Sequence, residues 1–292
     1  MAIDYRYHLG SIIAIFVALL LGLLVGIGLA PRPEDFDEKV SGLRQEYQET
    51  RNEKKAELEQ VTAQLRESEA VSKEAVSAVV ANRLLGKRVA LVFDHELGRE
   101  SSDNLRALLT QAGAKVVSTT TFTRDFISMP ESVRSKVSTQ LLLYPPAGTP
   151  FRSVIARTVA RELASSQSKL INGLQVSGLL KSSPGSVYTS RVDAVLLVGG
   201  MRQAADASLD QIDVPLIAEL KRLGVRVVGC EARTAKLSCL PTYKAQGIST
   251  VDNVDTLAGR LAVVLALDGV EGHFGVKETA DRLLPDLQAV GP

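Results

Sequence analysis

The sequence predicts an α/β protein attached to a membrane: an N-terminal single transmembrane helix, a long coiled-coil helix, and then a doubly wound, mainly parallel sheet of the flavodoxin-like type. Three observations predict this architecture. Residues 9–30 contain no charged side chain, and residues 34–85 have the Glu-, Lys-, Gln- and Ala-rich composition of a long helix. Residues 87–292 alternate β-branched apolar stretches with helical ones, which indicates βαβ crossovers.

The apolar stretch at residues 9–30 is long enough to span a bilayer, which takes about 20 residues as a helix. It is longer than the core of a cleaved signal peptide, and Pro31 follows its one candidate cleavage site, so an uncleaved signal-anchor is expected. The basic residues on its two sides do not decide the orientation. The short tail at residues 1–8 favours a cytoplasmic N-terminus and an extracytoplasmic C-terminal domain at the cell membrane.

Small residues recur at every fourth position of this stretch and form one groove along the helix. They are Gly10, Ala14, Ala18, Gly22, Gly26 and Ala30. Gly22 and Gly26 form a GxxxG motif, which lets two helix backbones approach closely in lipid. The pattern predicts helix self-association; the alternative is that glycine and alanine are simply frequent in membrane helices.

The charged segment at residues 34–85 carries a heptad seam with one extra four-residue step between Lys54 and Leu58. The seam runs through Phe36, Val40, Leu43, Tyr47, Thr50, Lys54, Leu58, Val61, Leu65 and Ser68. Lys54 on the seam and Gly42 beside it weaken the pattern, so a solitary solvated helix stays an alternative. Together with the small-residue groove, the seam predicts a parallel homodimer.

The composition limits the partners. The 34 basic residues are balanced by 33 acidic ones and are interspersed with them, so no nucleic-acid partner is expected. Aromatic residues make up 4% of the chain, which leaves an aliphatic core suited to helices packed on a buried parallel sheet. The expected partners are the lipid bilayer, a second copy of the chain and an envelope protein.

Five strands are predicted in the C-terminal domain at residues 87–292. They lie at residues 89–93, 115–121, 192–198, 225–230 and 248–251. Ligands of doubly wound sheets bind at the carboxyl ends of the strands. Three such ends are Asp94-His95, the segment from Gly199 to Arg202, and Cys230-Glu231. The Gly-Gly pair belongs to no complete phosphate-binding motif, so a tight turn is the expected role.

Cys230 and Cys239 are the only cysteines of the chain. Outside the cytoplasm, such a pair often forms a structural disulfide. Two free buried thiols, a metal site and a nucleophile are the alternatives. With no CxxC motif and no activating base identified, Cys230, Cys239 and His273 are weak metal candidates, and neither an enzyme activity nor a cofactor is expected.

Asp252, Asn253 and Asp255 follow the last predicted strand and precede a helix at residues 256–267. They are expected at the carboxyl edge of the sheet, where both helix capping and ligand binding occur. Because that helix is short and contains Arg260, it is expected to be a buried packing helix and not a second membrane span.

Both ends of the chain resemble the MctB-type copper transporters, a family named from the mycobacterial copper transport protein. The resemblance lies in the opening DYRYHL with the apolar stretch after it, and in the closing tracts ISTVDNVDTLAGRLAVVLAL and GHFGVKETADRLLP. It implies an envelope protein of copper efflux or homeostasis, described in mycobacteria as an outer-membrane pore, with copper as a possible substrate. The alternative is a dimeric envelope scaffold without transport activity.

Overall fold

A computed structural model of the protein describes residues 5–29, 33–94, 99–200 and 209–286. The chain divides into two compact units, Met1–Glu69 and Ala70–Pro292. The first contains the N-terminal helix and most of the long helix. The second contains the sheet and is called the head below.

The N-terminal helix α1 (Tyr5–Leu29) has no charged residue after its first turn. Its segment Gly10–Gly28 is long and apolar enough to cross a membrane, and none of that segment is buried within the chain. The predicted apolar anchor helix is therefore present.

The long helix α2 (Pro33–Val80) runs for 48 residues without a break, about 72 Å at the usual rise per residue. Its charged, helix-favouring composition accounts for that length. The seam side chains Leu43, Tyr47, Leu58, Val61 and Leu65 are all exposed. The long helix is confirmed, whereas its pairing in a coiled coil stays a prediction.

The last part of α2 belongs to the head. Val80 at the end of the helix and Leu84 in the turn after it are fully buried. The Leu84 amide donates to the carbonyl of Ala112 at 2.8 Å. The apolar contacts of the head therefore begin before the first strand.

The head contains a seven-stranded sheet in which all neighbouring strands are parallel except β2 and β3. The strands are β1 (Arg88–Phe93), β2 (Lys115–Phe122), β3 (Leu180–Ser182), β4 (Ala194–Gly199), β5 (Arg226–Glu231), β6 (Ser249–Val251) and β7 (His273–Phe274). Their order is β3-β2-β1-β4-β5-β6-β7. The five predicted strands are β1, β2, β4, β5 and β6, and their relative order, 2-1-3-4-5, is that of flavodoxin-like sheets.

The prediction of only five strands is wrong at both edges of the sheet. β3 and β7 have three and two residues, too few for an apolar run or an alternation to mark them. Pairing defines them instead: β3 lies antiparallel to β2, and β7 lies parallel to β6.

Helices cover both faces of the sheet. They are α3 (Arg99–Gln111), α4 (Arg124–Ser128), α5 (Glu131–Leu141), α6 (Phe151–Leu163), α7 (Lys169–Val176), α8 (Val214–Arg222), α9 (Leu240–Ala245) and α10 (Leu257–Asp268), with a π-helical turn at Leu209–Asp213. Residues of α4 to α9 build one apolar core, and those of α3, α10 and the end of α2 build the other. Most of α10 is buried, which confirms it as a packing helix.

Candidate functional site

Buried polar side chains gather at the carboxyl ends of the central strands. Asp94 follows β1, Glu231 ends β5 and Asp252 follows β6, and each is at most 1% exposed. A charged group is expensive to bury unless it is paired. These carboxylates therefore need partners within the head that compensate their charge.

The Gly-Gly pair at the end of β4 is required by close packing. A Cβ on Gly199 would collide with Cys239 Sγ and lie 2.7 Å from the Tyr243 hydroxyl oxygen. Gly200 has a φ of +82°, a conformation that favours glycine, and faces Glu231. These contacts fit the expected tight turn, while His95, Met201 and Arg202 lie outside the described residues.

Glu231 accepts hydrogen bonds with both of its carboxylate oxygens. Its Oε1 accepts from the Lys277 ammonium at 2.6 Å, and its Oε2 accepts from the Cys239 amide at 3.0 Å. Glu231 is completely buried, whereas the Lys277 side chain is 23% exposed. Lys277 thus neutralises the buried charge and fastens the C-terminal segment onto β5.

Asp252 binds the backbone of the segment after β7. Its two carboxylate oxygens accept from the amides of Val276, at 2.8 Å, and Lys277, at 2.7 Å. A Cβ on Gly275 would collide with this carboxylate, so only glycine fits there. Asp252 therefore organises the closing turn of the head.

The neighbours of Asp252 also contact backbone groups. Asp255 Oδ1 accepts from the Arg233 amide at 2.7 Å. The Asn253 carbonyl accepts from Thr256, whose hydroxyl in turn accepts from the Gly259 amide and caps α10. Contacts of this kind are typical of caps and turns.

The two cysteines lie in opposite cores, Cys230 with α3 and α10 and Cys239 with the helices of the other face. Side chains alternate along a strand, so Glu231 points toward Cys239 while Cys230 points away. Both thiols are free and buried. The expected disulfide is thus wrong, because the two cysteines lie on opposite faces of the sheet.

Burial is the main cause that raises the pKa of both thiols far above the usual range. The carboxylates of Glu231 and Asp94 add to this effect at Cys230, as do those of Asp94, Glu231 and Asp213 at Cys239. The reactive species of cysteine is the thiolate. Neither thiol is therefore activated as a nucleophile at neutral pH.

His273, the third weak metal candidate, opens β7 and pairs with Thr250 of β6. Its Nδ1 lies 2.9 Å from Thr250 Oγ1. Burial and the Lys244 ammonium lower its pKa, against the opposing effect of Asp281. Within the described parts of the chain, no three His, Cys, Asp or Glu side chains are grouped closely enough to hold a metal ion.

Sequence reasoning did not find the pair formed by Tyr243 and Asp213. The Tyr243 hydroxyl donates to Asp213 Oδ2 at 2.8 Å, and both residues are fully buried behind Gly199. The two residues are 30 positions apart in different helical elements. No motif or periodicity marks such a pair, which only the packing of α9 against the turn before α8 brings together.

Comparison with known families gives a match over nearly the whole chain. The family described as copper transport outer membrane protein, MctB, matches residues 2–285. The chain belongs to the MctB family. The copper transporters MctB of Mycobacterium bovis and of two strains of Mycobacterium tuberculosis are each 24% identical to it, over 94% of this chain and 96% of the relative.

The MctB match includes the C-terminal tract that carries the resemblance, residues 248–285. That tract contains β6, α10 and β7, together with Asp252 and Lys277. In this MctB-family chain, the tract closes the carboxyl edge of the sheet through the two carboxylates Asp252 and Glu231.

Proposed function

We propose that this MctB-family protein is a membrane-anchored cell-envelope protein that takes part in copper transport or homeostasis. The observation that carries the proposal is the family match over residues 2–285, supported by relatives named as copper transporters. The apolar segment Gly10–Gly28 supplies the membrane anchor. The match favours this function over that of a scaffold unrelated to copper.

Within copper transport, the role is that of an accessory or oligomeric component. Ser11 is the only residue of the 9–30 stretch whose side chain offers a hydrogen-bonding group, and one apolar helix cannot line a path for an ion. Copper is a substrate in this proposal, and no residue is assigned as its ligand. The protonated, buried thiols agree with a role other than enzyme catalysis.

The assembly in this proposal is a parallel homodimer with its N-terminus in the cytoplasm and its head outside. A Cβ on Gly22 or Gly26 would meet no other atom of the chain, so their side of α1 is open to a neighbour. The exposed seam of α2 offers apolar side chains to the same neighbour. An envelope protein that docks on the head would complete the transport system.

Deletion and complementation of the gene test the copper function. We expect the deletion strain to grow more poorly than the parent at elevated copper and normally at elevated zinc. The full-length chain should restore growth, as should the Cys230→Ser/Cys239→Ser variant, because neither thiol is positioned as a ligand. Measurements of cell-associated copper would show whether accumulation follows growth.

Copper-independent growth of the deletion strain would overturn this function. If the full-length chain then co-purified with one envelope protein at all copper concentrations, the scaffold would be the better description. Loss of complementation in the double cysteine variant, despite normal expression, would contradict the absence of thiol ligands.

A further inference from the structure

A groove of about 500 Å³ lies at the amino ends of β5, β6 and β7, away from the carboxyl edge described above. It is lined by Lys221, Gly224, Val225, Arg226, Val227, Gly247, Ile248, Ser249, Glu271, Gly272 and His273. Its volume lies within the range of about 300–1,000 Å³ typical of small-molecule sites. Ile248, Ser249, Gly272 and His273 of this groove lie in the two C-terminal tracts that carry the family resemblance.

Glycines shape the groove in each of the three loops that enter these strands. Gly224, Gly247 and Gly272 have φ values of +74°, +65° and +146°. A Cβ on Gly224 would meet no other atom, and one on Gly247 would meet only Lys221 Nζ. Gly224 and Gly247 therefore leave the space of the groove open, whereas a Cβ on Gly272 would collide with the Phe274 ring.

Two cations on the groove have no carboxylate partner in the described parts of the chain. Lys221 Nζ donates to the carbonyls of Gln246, at 2.5 Å, and Gly247, at 3.3 Å. Arg226 Nη1 has only the distant carbonyl of Ala266, at 3.4 Å. Carbonyl oxygens do not neutralise a positive charge, and both side chains keep further N–H donors for a ligand.

Four cations elsewhere in the head provide a contrast. Lys87, Arg88, Lys244 and Lys277 each form an ion pair with a carboxylate at 2.6–2.9 Å. Lys221 and Arg226 lack this compensation, as do other described cations of the head such as Lys136, but these two lie together on one groove. Glu271 is the one carboxylate among the described residues of its lining, and it opposes the binding of an anion.

His273 adds an imidazole ring to the groove. Its Nδ1 is engaged with Thr250, which leaves Nε2 for another partner. The charged groups near the ring are Lys244 and Asp281, and its pKa is lowered, so the ring is neutral at pH 7. When Nδ1 accepts from the Thr250 hydroxyl, Nε2 carries the hydrogen.

We propose that this groove binds the oxyanion group, phosphate or carboxylate, of a small ligand. Lys221 and Arg226 supply the positive charge, and His273 donates a hydrogen bond. The apolar floor formed by Val225, Val227 and Ile248 accepts the rest of the ligand. This site is independent of copper and of the proposed copper function.

Calorimetric titration of the full-length chain in neutral detergent tests the proposal, with inorganic phosphate and citrate as probes. We expect saturable binding of at least one probe. Lys221→Met and Arg226→Met should each weaken it about tenfold or more, because each removes a charge-assisted hydrogen bond. Glu271→Gln should tighten it about threefold by removing a repulsion of similar size to other exposed charge pairs.

Lys136→Met is the matched control, because it removes one positive charge from an exposed position on α5 outside the groove. Stronger binding of phosphate would identify a phosphoryl ligand, and stronger binding of citrate a carboxylate. Absence of saturable binding, or an equal loss in Lys136→Met, would overturn the proposal. Lys221→Met also removes hydrogen bonds to a loop, so a loss of binding in this variant can have a structural cause. For this reason, an unchanged affinity in Glu271→Gln would overturn the proposal as well.

Discussion

Single side chains at the carboxyl edge bind other parts of the protein itself. Glu231 binds Lys277, and Asp252 binds two amides of the C-terminal segment. An edge that binds ligands in other doubly wound proteins is thus closed here by residues of its own chain, over β5 and β6. The charges at the carboxyl edge therefore affect mainly the stability of the fold.

Substitution of Lys277 should show how far the stability of the fold depends on its ion pair with Glu231. Lys277→Met leaves the Glu231 carboxylate without its charge partner in the interior, so we expect the free energy of unfolding to fall by about 3 kcal/mol. The additional substitution Glu231→Gln should recover part of the loss. Urea unfolding in detergent can be followed by tyrosine fluorescence, because the chain has no tryptophan and Tyr188 and Tyr243 are buried in the head.

Lys244→Met is the control for this experiment, because Lys244 pairs with Asp281, whose side chain is 59% exposed. Its loss should change stability by less than about 1 kcal/mol. Equal stabilities of Lys277→Met and the native chain would show that the Glu231 pair contributes nothing.

Acid should weaken the contact between α6 and α8 at Glu219. Arg222 and Arg161 lower the pKa of this carboxyl to about 2. The unfolded value is about 4.3, so the pairing stabilises the fold above pH 4.3 and the contribution disappears as the pH falls toward 2. Glu219→Gln should be about 1 kcal/mol less stable than the native chain at pH 7, since both arginines are more than half exposed.

The same difference in stability should shrink steadily between pH 4.3 and pH 2 when unfolding curves are recorded across that range. Glu131→Gln, on an exposed pair with Arg134, serves as the control and should show almost no effect. A difference that stayed constant with pH would assign the loss to packing and not to charge.

How far the sequence predicts these residues depends on whether the contact is local. Gly199-Gly200 and Asp252 stand at strand ends in the sequence as in the structure, because a strand end follows from a nearby apolar run. The opposite positions of Cys230 and Cys239 depend on which face of the sheet each side chain meets. That face is set by the path of the chain after β5, which no local pattern encodes.

At the scale of elements, the central strands were predictable and the edges were not. β1 and β4 are six-residue runs of mainly aliphatic residues that are buried except for Arg88, a pattern typical of parallel strands covered on both faces. The packing of the end of α2 into the head was not predictable for a different reason. Its last turns join the head through Val80, while the composition around them still reads as a solvated helix.

Matched substitutions in α2 test that boundary. Val80→Ala removes a fully buried side chain and should lower the stability of the head by about 2 kcal/mol, because it leaves a cavity among α3 and α10. Val71→Ala, on the same helix at 64% exposure, should leave stability unchanged or raise it slightly through better helix propensity. Identical unfolding curves for the two variants would show that the end of α2 does not stabilise the head.

At the scale of the whole molecule, the proposed parallel dimer would use one surface of α1 and one of α2. Apolar seam residues remain exposed along α2, and the glycine side of α1 is open. Two surfaces on one chain that both favour parallel pairing reinforce each other, since the first association raises the effective concentration for the second.

A crosslinking experiment separates this arrangement from a solitary helix. Leu65→Cys, placed in a chain with Cys230→Ser and Cys239→Ser, should give a disulfide-linked dimer on oxidation in detergent, because a parallel in-register pair brings the same seam position of both chains together. Glu67→Cys, about 200° further around the helix, is the control and should crosslink far less. Equal crosslinking at both positions would contradict a defined seam.

The same crosslink should depend on the membrane helix. Gly22→Ile/Gly26→Ile places branched side chains on the surface where two backbones meet, so the dimer yield from Leu65→Cys should fall several-fold. Gly28→Ile adds an equal side chain off that face and should leave the yield unchanged. If both substitutions reduced it alike, added bulk anywhere on α1 would explain the loss; if neither did, α2 would pair without help from the membrane helix.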